Sequence, residues 1–199
     1  MLTENELIKF RRELHSYPET GWCEFVTTHK IVEKLRSFGL DPIYGRQVIN
    51  PEFVAGRNPA KVEEAKKAAL EKGVPPEFIE SMQDYTGVAA IFETGRPGPV
   101  LAIRFDMDCV DVDEAHEAGH RPFDEGWAST NPGHMHSCGH DGHATMGISV
   151  CNWIQENLDQ FCGTIKVVFQ PAEEGVRGAR PMTETGIFDD VDFFFGNHL

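Results

Sequence analysis

The sequence predicts an α/β fold in which helices cover both faces of a sheet. Three observations carry that prediction. Runs rich in β-branched and aromatic residues alternate with helical periodicities along the 199 residues. The composition, 40% hydrophobic and 25% charged, is that of a globular chain able to bury a core. Finally, three apolar runs turn abruptly polar at their ends, in "RFDMD", "FQPAEEG" and "GNHL". In open α/β sheets ligand-binding residues gather beyond the carboxyl ends of the strands, so chemistry is expected at these three places.

The elements follow in order. "TENELIKFRRELHSYPE" begins with a Thr3/Glu6 capping box and sets Leu7, Phe10 and Leu14 on one helical face before Pro18 closes the segment. "EFVTTHKIVEKLRSFG" repeats the pattern with Phe25, Ile31, Val32 and Leu35, and Gly39 supplies a left-handed stop. A short strand in "DPIYGRQV" comes next. Residues 51–84 change character: "NPAKVEEAKKAALEKG" and "PPEFIESMQD" predict two charged helices started by proline signals, an insertion on the surface. "TGVAAIFETGRPGPVLAIRFDMD" predicts two strands joined as a hairpin by Gly-Arg-Pro-Gly. After a polar loop come a helix over about 141–158, a strand "GTIKVVFQ", a short helix near 177–185 and a strand "VDFFFGNH".

Charge narrows the partners. A formal net charge of −14 repels phosphate backbones and anionic membranes, so neither nucleic acid nor a membrane is expected, and a small molecule or peptide fits better. The amino terminus lacks the basic and then apolar pattern of a signal peptide, and no apolar run reaches the ~20 residues of a membrane span, so a cytoplasmic location is expected. Cysteines at 23, 109, 138, 151 and 162 form an odd set without disulfide spacing, and most are expected to be buried thiols. Cys138 stands in far more polar company than the others.

That company is "HMHSCGHDGH", residues 134–143. Cys138 and His140 are two apart, so in an extended loop both can point to one ion, and a thiolate with a neutral imidazole suits zinc and similar divalent metals. Glu173 and Glu174 follow a strand and Pro171; their side chains diverge, so one can bind metal while its neighbour faces a bound water. His198 ends a very apolar strand and completes the set. Each signal is common in isolation, since Cys-x-His pairs and acidic pairs usually mark ordinary surface. Their joint placement at strand ends is what predicts a metal site. His134, His136 and His143 are expected to support the loop, and Asp106 and Asp108 either orient a histidine or cap the following turn. "HEAGH", residues 116–120, matches a zinc-protease pattern that works only on a helix. Gly119, Pro122 and the lack of apolar periodicity predict a loop there. No nucleophile elbow, phosphate loop, dinucleotide fingerprint or P-C-x-x-C half of the deaminase signature is present.

"FRRELHSYPETGWCEF", "RFDMDCVDV", "HSCGHDGHATMG", "FQPAEEGVRGARPM" and "FFFGNH" together resemble the amidohydrolase branch of the carboxypeptidase G and aminoacylase type metallopeptidases. The resemblance implies a three-layer mixed sheet with helices on both faces, the amino-terminal segment of a zinc-peptidase-like catalytic domain. It implies two divalent metal ions, Mn or Zn, with Cys138 as a bridging thiolate, His140, Glu174 and His198 as terminal ligands, and Glu173 as general base. Asp106 is implied as a supporting residue, and Asp108 and His143 keep the supporting role expected of them from the sequence itself. Where the wider family has a histidine before the aspartate of the earlier strand, this chain has Arg104 before Asp106.

Members of that branch run to roughly twice this length, so residues 1–199 are expected to be the first part of the catalytic domain. The lid and dimerisation domain and the last part of the sheet are expected elsewhere. An apolar, unpaired strand edge and a homo- or hetero-oligomer in the complete protein follow from the same reading. The expected activity is hydrolysis of the amide bond in N-acyl or N-aroyl amino acids, with p-aminobenzoyl-glutamate the favoured substrate. The alternative is a metal-binding fragment that is inactive until complemented by the missing half. A structural zinc module on nucleic acid is disfavoured by the charge and by ligands some sixty residues apart.

Overall fold

The computed structural model describes residues 1–196 and 198. Seven α-helices are present among them: α1 (Glu4–His15), α2 (Phe25–Ser37), α3 (Pro59–Glu71), α4 (Pro76–Ser81), α5 (Arg121–Asp124), α6 (His140–Glu156) and α7 (Ala179–Thr183). The strands are β1 (Ile43–Tyr44), β2 (Val88–Glu93), β3 (Val100–Asp106), β4 (Thr164–Gln170) and β5 (Phe193–Gly196). Both helix signals at the amino terminus act as expected. The Thr3/Glu6 capping box closes on itself. Gly39, at φ 81°, lets the Leu40 amide reach back to the Leu35 carbonyl and end α2.

The five strands form one mixed sheet in the order β1-β2-β4-β3-β5. β3 runs parallel to both β4 and β5, whereas β2 runs antiparallel to β4. The hairpin expected between β2 and β3 is therefore not formed. β4 lies between them, because a strand buried on both faces satisfies more apolar surface at the centre of the sheet than either neighbour would. Gly-Arg-Pro-Gly still turns the chain, but around the end of β4, where Thr94 and Thr164 bond to the Gly163 and Pro99 carbonyls.

Alternation along β2 and β4 divides the core. Val88, Ala90, Phe92, Ile165, Val167 and Phe169 face one side and pack with Phe25, Ile31 and Leu35 of α2 and Ile148 and Cys151 of α6. Ala89 and Val168 face the other, against Trp22, Val48, Ile49 and Met182 of α7. Helices thus cover both faces, the second only by the short α7 and irregular segments. Gly147 allows α6 to lie close on the sheet: a Cβ there would sit 2.5 Å from the Phe169 ring and 2.8 Å from that of Phe105.

The charged helices α3 and α4 form where expected; most of α3 is exposed, while Val62, Ala69, Phe78 and Ile79 enter the main core and anchor the pair to it. β5 is an outer strand, and Phe193, Phe194 and Phe195 are each more than half exposed, the apolar edge the sequence predicts. All five cysteines are free thiols; Cys109 and Cys151 are buried, Cys162 is exposed and Cys23 and Cys138 are intermediate, so burial is less general than expected. Among the described residues no helix is long and apolar enough to cross a membrane.

Candidate metal centre

Parallel pairing explains how residues ninety positions apart meet. Asp106 pairs with Gln170 across β3 and β4, and Arg104 pairs with Gly196 across β3 and β5. Asp106, Glu173, Glu174 and His198 consequently lie beyond the same edge of the sheet. The loop 134–139 reaches that edge from the other direction. Gly139, at φ 79°, turns it into α6, and His140 takes the first helical position, fully buried.

His140 is held at Nδ1, 2.9 Å from the Asp108 carbonyl oxygen and 3.3 Å from Asp108 Oδ1. Its Nδ1 proton is donated to that carbonyl, which leaves the Nε2 lone pair facing the site. Nε2 lies 3.3 Å from His198 Nε2 and 3.8 Å from Glu173 Oε2. Burial disfavours charge on His140, but the bonds to Asp108 and the charges of Asp108 and Asp106 outweigh it and raise its basicity.

Two donor groups result. One nitrogen or oxygen each from Asp106, His140 and His198 lie within 4.8 Å of one another, as do atoms of His140, Glu173 and Glu174. His140 belongs to both. Cys138 belongs to neither, but its thiol hydrogen-bonds to Glu174; that bond, then burial and the charges of both glutamates, push it up to about 11. Asp106 is fully buried and receives Arg104 Nε at 2.8 Å, with His143 Nδ1 at 3.3 Å. Burial alone would raise the Asp106 carboxyl, yet its bonds to His143 and Arg104 hold it below the usual range.

Of the residues singled out in the sequence, Asp106, Asp108, Cys138, His140, His143, Glu173, Glu174 and His198 therefore assemble at one edge. The other histidines do not. His134 turns to the Pro132 carbonyl and to Asp111. His136 is buried beside His15, and neither ring nitrogen has a hydrogen-bond partner among the described residues. Burial depresses its basicity to about 4. His116 and His120 lie on a loop, as Gly119 implies, and His120 bonds to Glu114.

Two residues of the site had no role assigned from the sequence, where Arg104 stands only as a departure from the family pattern. Arg104 Nη2 is 3.6 Å from Glu173 Oε1 and so links Glu173 to Asp106. Its signal is the i, i+2 spacing of a cation and an acid on one strand face. Glu24, fully buried, accepts from the Ala172 amide at 2.8 Å, immediately before the glutamate pair. Its only sequence signal is an acid set among Trp22, Cys23, Phe25 and Val26.

A mixed sheet whose strand ends gather imidazoles and carboxylates into overlapping donor groups defines an α/β chain with a candidate metal centre. Known proteins make that more specific. Residues 102–199 match the model of peptidase family M20/M25/M40. Across 98% of its length the chain is 47% identical to a p-aminobenzoyl-glutamate hydrolase homolog of Haemophilus influenzae, of which it covers 46%. It superposes on an aminobenzoyl-glutamate utilization protein from Klebsiella pneumoniae with a TM-score of 0.79 and 34% identity, covering 98% of this chain and 43% of that one. The Bacillus subtilis YXEP protein, a dinuclear metal binding peptidase from the M20 family, gives a TM-score of 0.72 and 29% identity over 98% of this chain and 42% of that one. The chain is similar to the M20 peptidase family over residues 102–199, as the sequence motifs imply, and spans less than half the length of the relatives it matches.

Proposed function

We propose that the protein containing these residues hydrolyses the amide bond joining an acyl or aroyl group to an amino acid, with p-aminobenzoyl-glutamate the favoured substrate. The observation that carries this reading is the place of His140 in both donor groups, with Glu173 and Glu174 adjacent in sequence but turned to different neighbours. The substrate choice is supported by the names of the Haemophilus and Klebsiella relatives.

The donor set fits divalent cations. Imidazole nitrogens, carboxylate oxygens and a thiol together suit metals of borderline softness. His140 offers the tautomer a ligand requires. The Cys138 thiol, held neutral beside Glu174, ionises at neutral pH only when positive charge is brought near it. Cys138, His140, Glu174 and His198 would hold two divalent ions, manganese or zinc, with Asp106, Asp108 and His143 in support. Bound there, such ions supply an acidified water and polarise the scissile carbonyl.

Glu173 then acts as general base, taking the proton of the attacking water and returning it to the leaving nitrogen. Arg104 Nη2 lies 3.6 Å from its Oε1, and its Oε2 is turned toward His140. On the same reading residues 1–199 are the amino-terminal part of the catalytic domain, and the complete protein assembles with a further copy of itself or with a different polypeptide. A second reading, that residues 1–199 are inactive alone, is favoured by the exposed phenylalanines of β5, which offer an apolar edge for more sheet.

The test is metal content and hydrolysis on a panel of N-acyl and N-aroyl amino acids, run on the intact protein and on residues 1–199. Release of p-aminobenzoate by the intact protein is expected. A metal-loaded intact protein that cleaves no member of the panel removes the proposal.

A further inference from the structure

Glu173 and Glu174 sit on a turn that is costly to form. Ala172 adopts a left-handed φ of 47°, which an L-residue avoids, and it is fully buried. Its carbonyl accepts from the Gly178 amide at 2.8 Å and the Arg177 amide at 3.2 Å. Only glycine fits at 178, since a Cβ there would lie 1.6 Å from the Pro171 oxygen. The Ala172 amide, out of reach of solvent, donates to Glu24 Oε1 at 2.8 Å. Two residues on, the Glu174 amide donates to Asp108 Oδ2 at 3.1 Å.

Two buried acids therefore grip two amides of the same turn. Glu24 is itself fixed at its other oxygen by the Thr86 hydroxyl, 2.6 Å away, and Gly87 next to it packs against the Pro171 ring. Neither acid is exposed, and the charge of Asp108 adds to burial in disfavouring an ionised Glu24, so an apolar pair would fill this space at less expense. What an apolar pair cannot do is satisfy the amides of a left-handed turn.

We infer that Glu24 is a positioning residue that, with Asp108, clamps the Pro171–Gly178 turn and so sets the direction of both glutamate side chains. This rests on the reading of Glu173 as base and Glu174 as ligand. Removing the carboxyl leaves the Ala172 amide unsatisfied, and relaxation of that one residue moves both glutamates together.

The experiment compares E24A, E24Q and T86V in the intact protein. Glutamine keeps an acceptor for the Ala172 amide and donates to Thr86. In E24A the Ala172 and Glu174 amides of metal-free protein are expected to exchange at least about tenfold faster. Zinc affinity, read by competition with a chromophoric chelator, and kcat should each fall about tenfold to a hundredfold, with KM changed less than about twofold. E24Q should stay within about threefold of the parent on every measure. A folded E24A with parental exchange and zinc affinity overturns the inference, and so does an E24Q as damaged as E24A. If E24A does not fold, T86V decides: exchange at Ala172 faster by about threefold supports the clamp, and no change overturns it. A parent protein with a protected turn but no zinc binding refutes the functional reading and leaves the clamp standing.

Discussion

The Nε2 atoms of His140 and His198 face each other across 3.3 Å, with Glu173 Oε2 3.8 Å from the first of them. Among the described residues His140 alone belongs to both donor groups, whereas His198 belongs to one. With Nδ1 committed to the Asp108 carbonyl, His140 has one lone pair, at Nε2, and serves one ion, as His198 does. After dialysis, His140→Ala and His198→Ala in the intact protein are each expected to keep about half of the parental metal. Elemental analysis of the purified variants checks this, and full parental retention by either would show that its imidazole is not a ligand.

Glu173 touches Arg104 on one side and His140 on the other, at separations that leave its carboxylate free of a direct short bond. As a general base it should matter to rate more than to metal retention. Glu173→Gln is expected to lower kcat by about a hundredfold to ten-thousandfold while metal content stays at the parental level. Steady-state kinetics and metal analysis on the same preparation decide it; a variant within about threefold of the parental kcat assigns the proton transfer to another group.

The strand ends that carry these residues were legible because each run switches from apolar to polar within two or three positions, as at Phe105–Asp106 and Phe169–Glu173. Thr3 and Gly39 marked helix boundaries through local chemistry, so they too could be read directly. Pairing could not. Gly95–Gly98 has the residues of a hairpin turn, but whether β2 meets β3 or β4 is decided by a strand some sixty residues later and by packing on both faces. Val62 and Phe78 looked like scattered apolar residues in charged helices until a core was available to receive them. Glu24 was hidden for the same reason, since a lone acid means nothing until the fold supplies the amide it holds.

Gly147 lies in α6 where the helix crosses the sheet beneath the site, and a Cβ there would come within 2.5 Å of the Phe169 ring and 2.8 Å of the Phe105 ring. Both rings are themselves packed in the core, so they have little room to move. Gly147→Ala gains about 1 kcal/mol of helix propensity. Overpacking should exceed that gain, for a net destabilisation of about 1–2 kcal/mol. Urea denaturation of the two proteins measures the difference, and an alanine variant more stable than the parent would mean that α6 stands further from the sheet.

Glu19 gives the fold a pH dependence of its own. Its carboxyl is buried and receives the Val26 amide at 3.0 Å and the Thr27 amide and hydroxyl at 2.8 Å, which ties the α1–α2 loop to the start of α2. Burial is the larger influence and raises it from 4.5 to about 7, against those hydrogen bonds. The folded state therefore holds this proton more tightly than the unfolded chain does. The resulting stability is complete below about pH 4.5 and falls as pH rises to about 7, by about 3 kcal/mol in all, with no further loss above that. Glu19→Gln removes the titration. The stability of the parent measured relative to that variant, by urea denaturation at steps from pH 4 to 8, should decline across this window and then level. Taking the difference cancels the effects of other groups, including any metal ligands, so a constant difference across the range would show that Glu19 ionises normally in the fold.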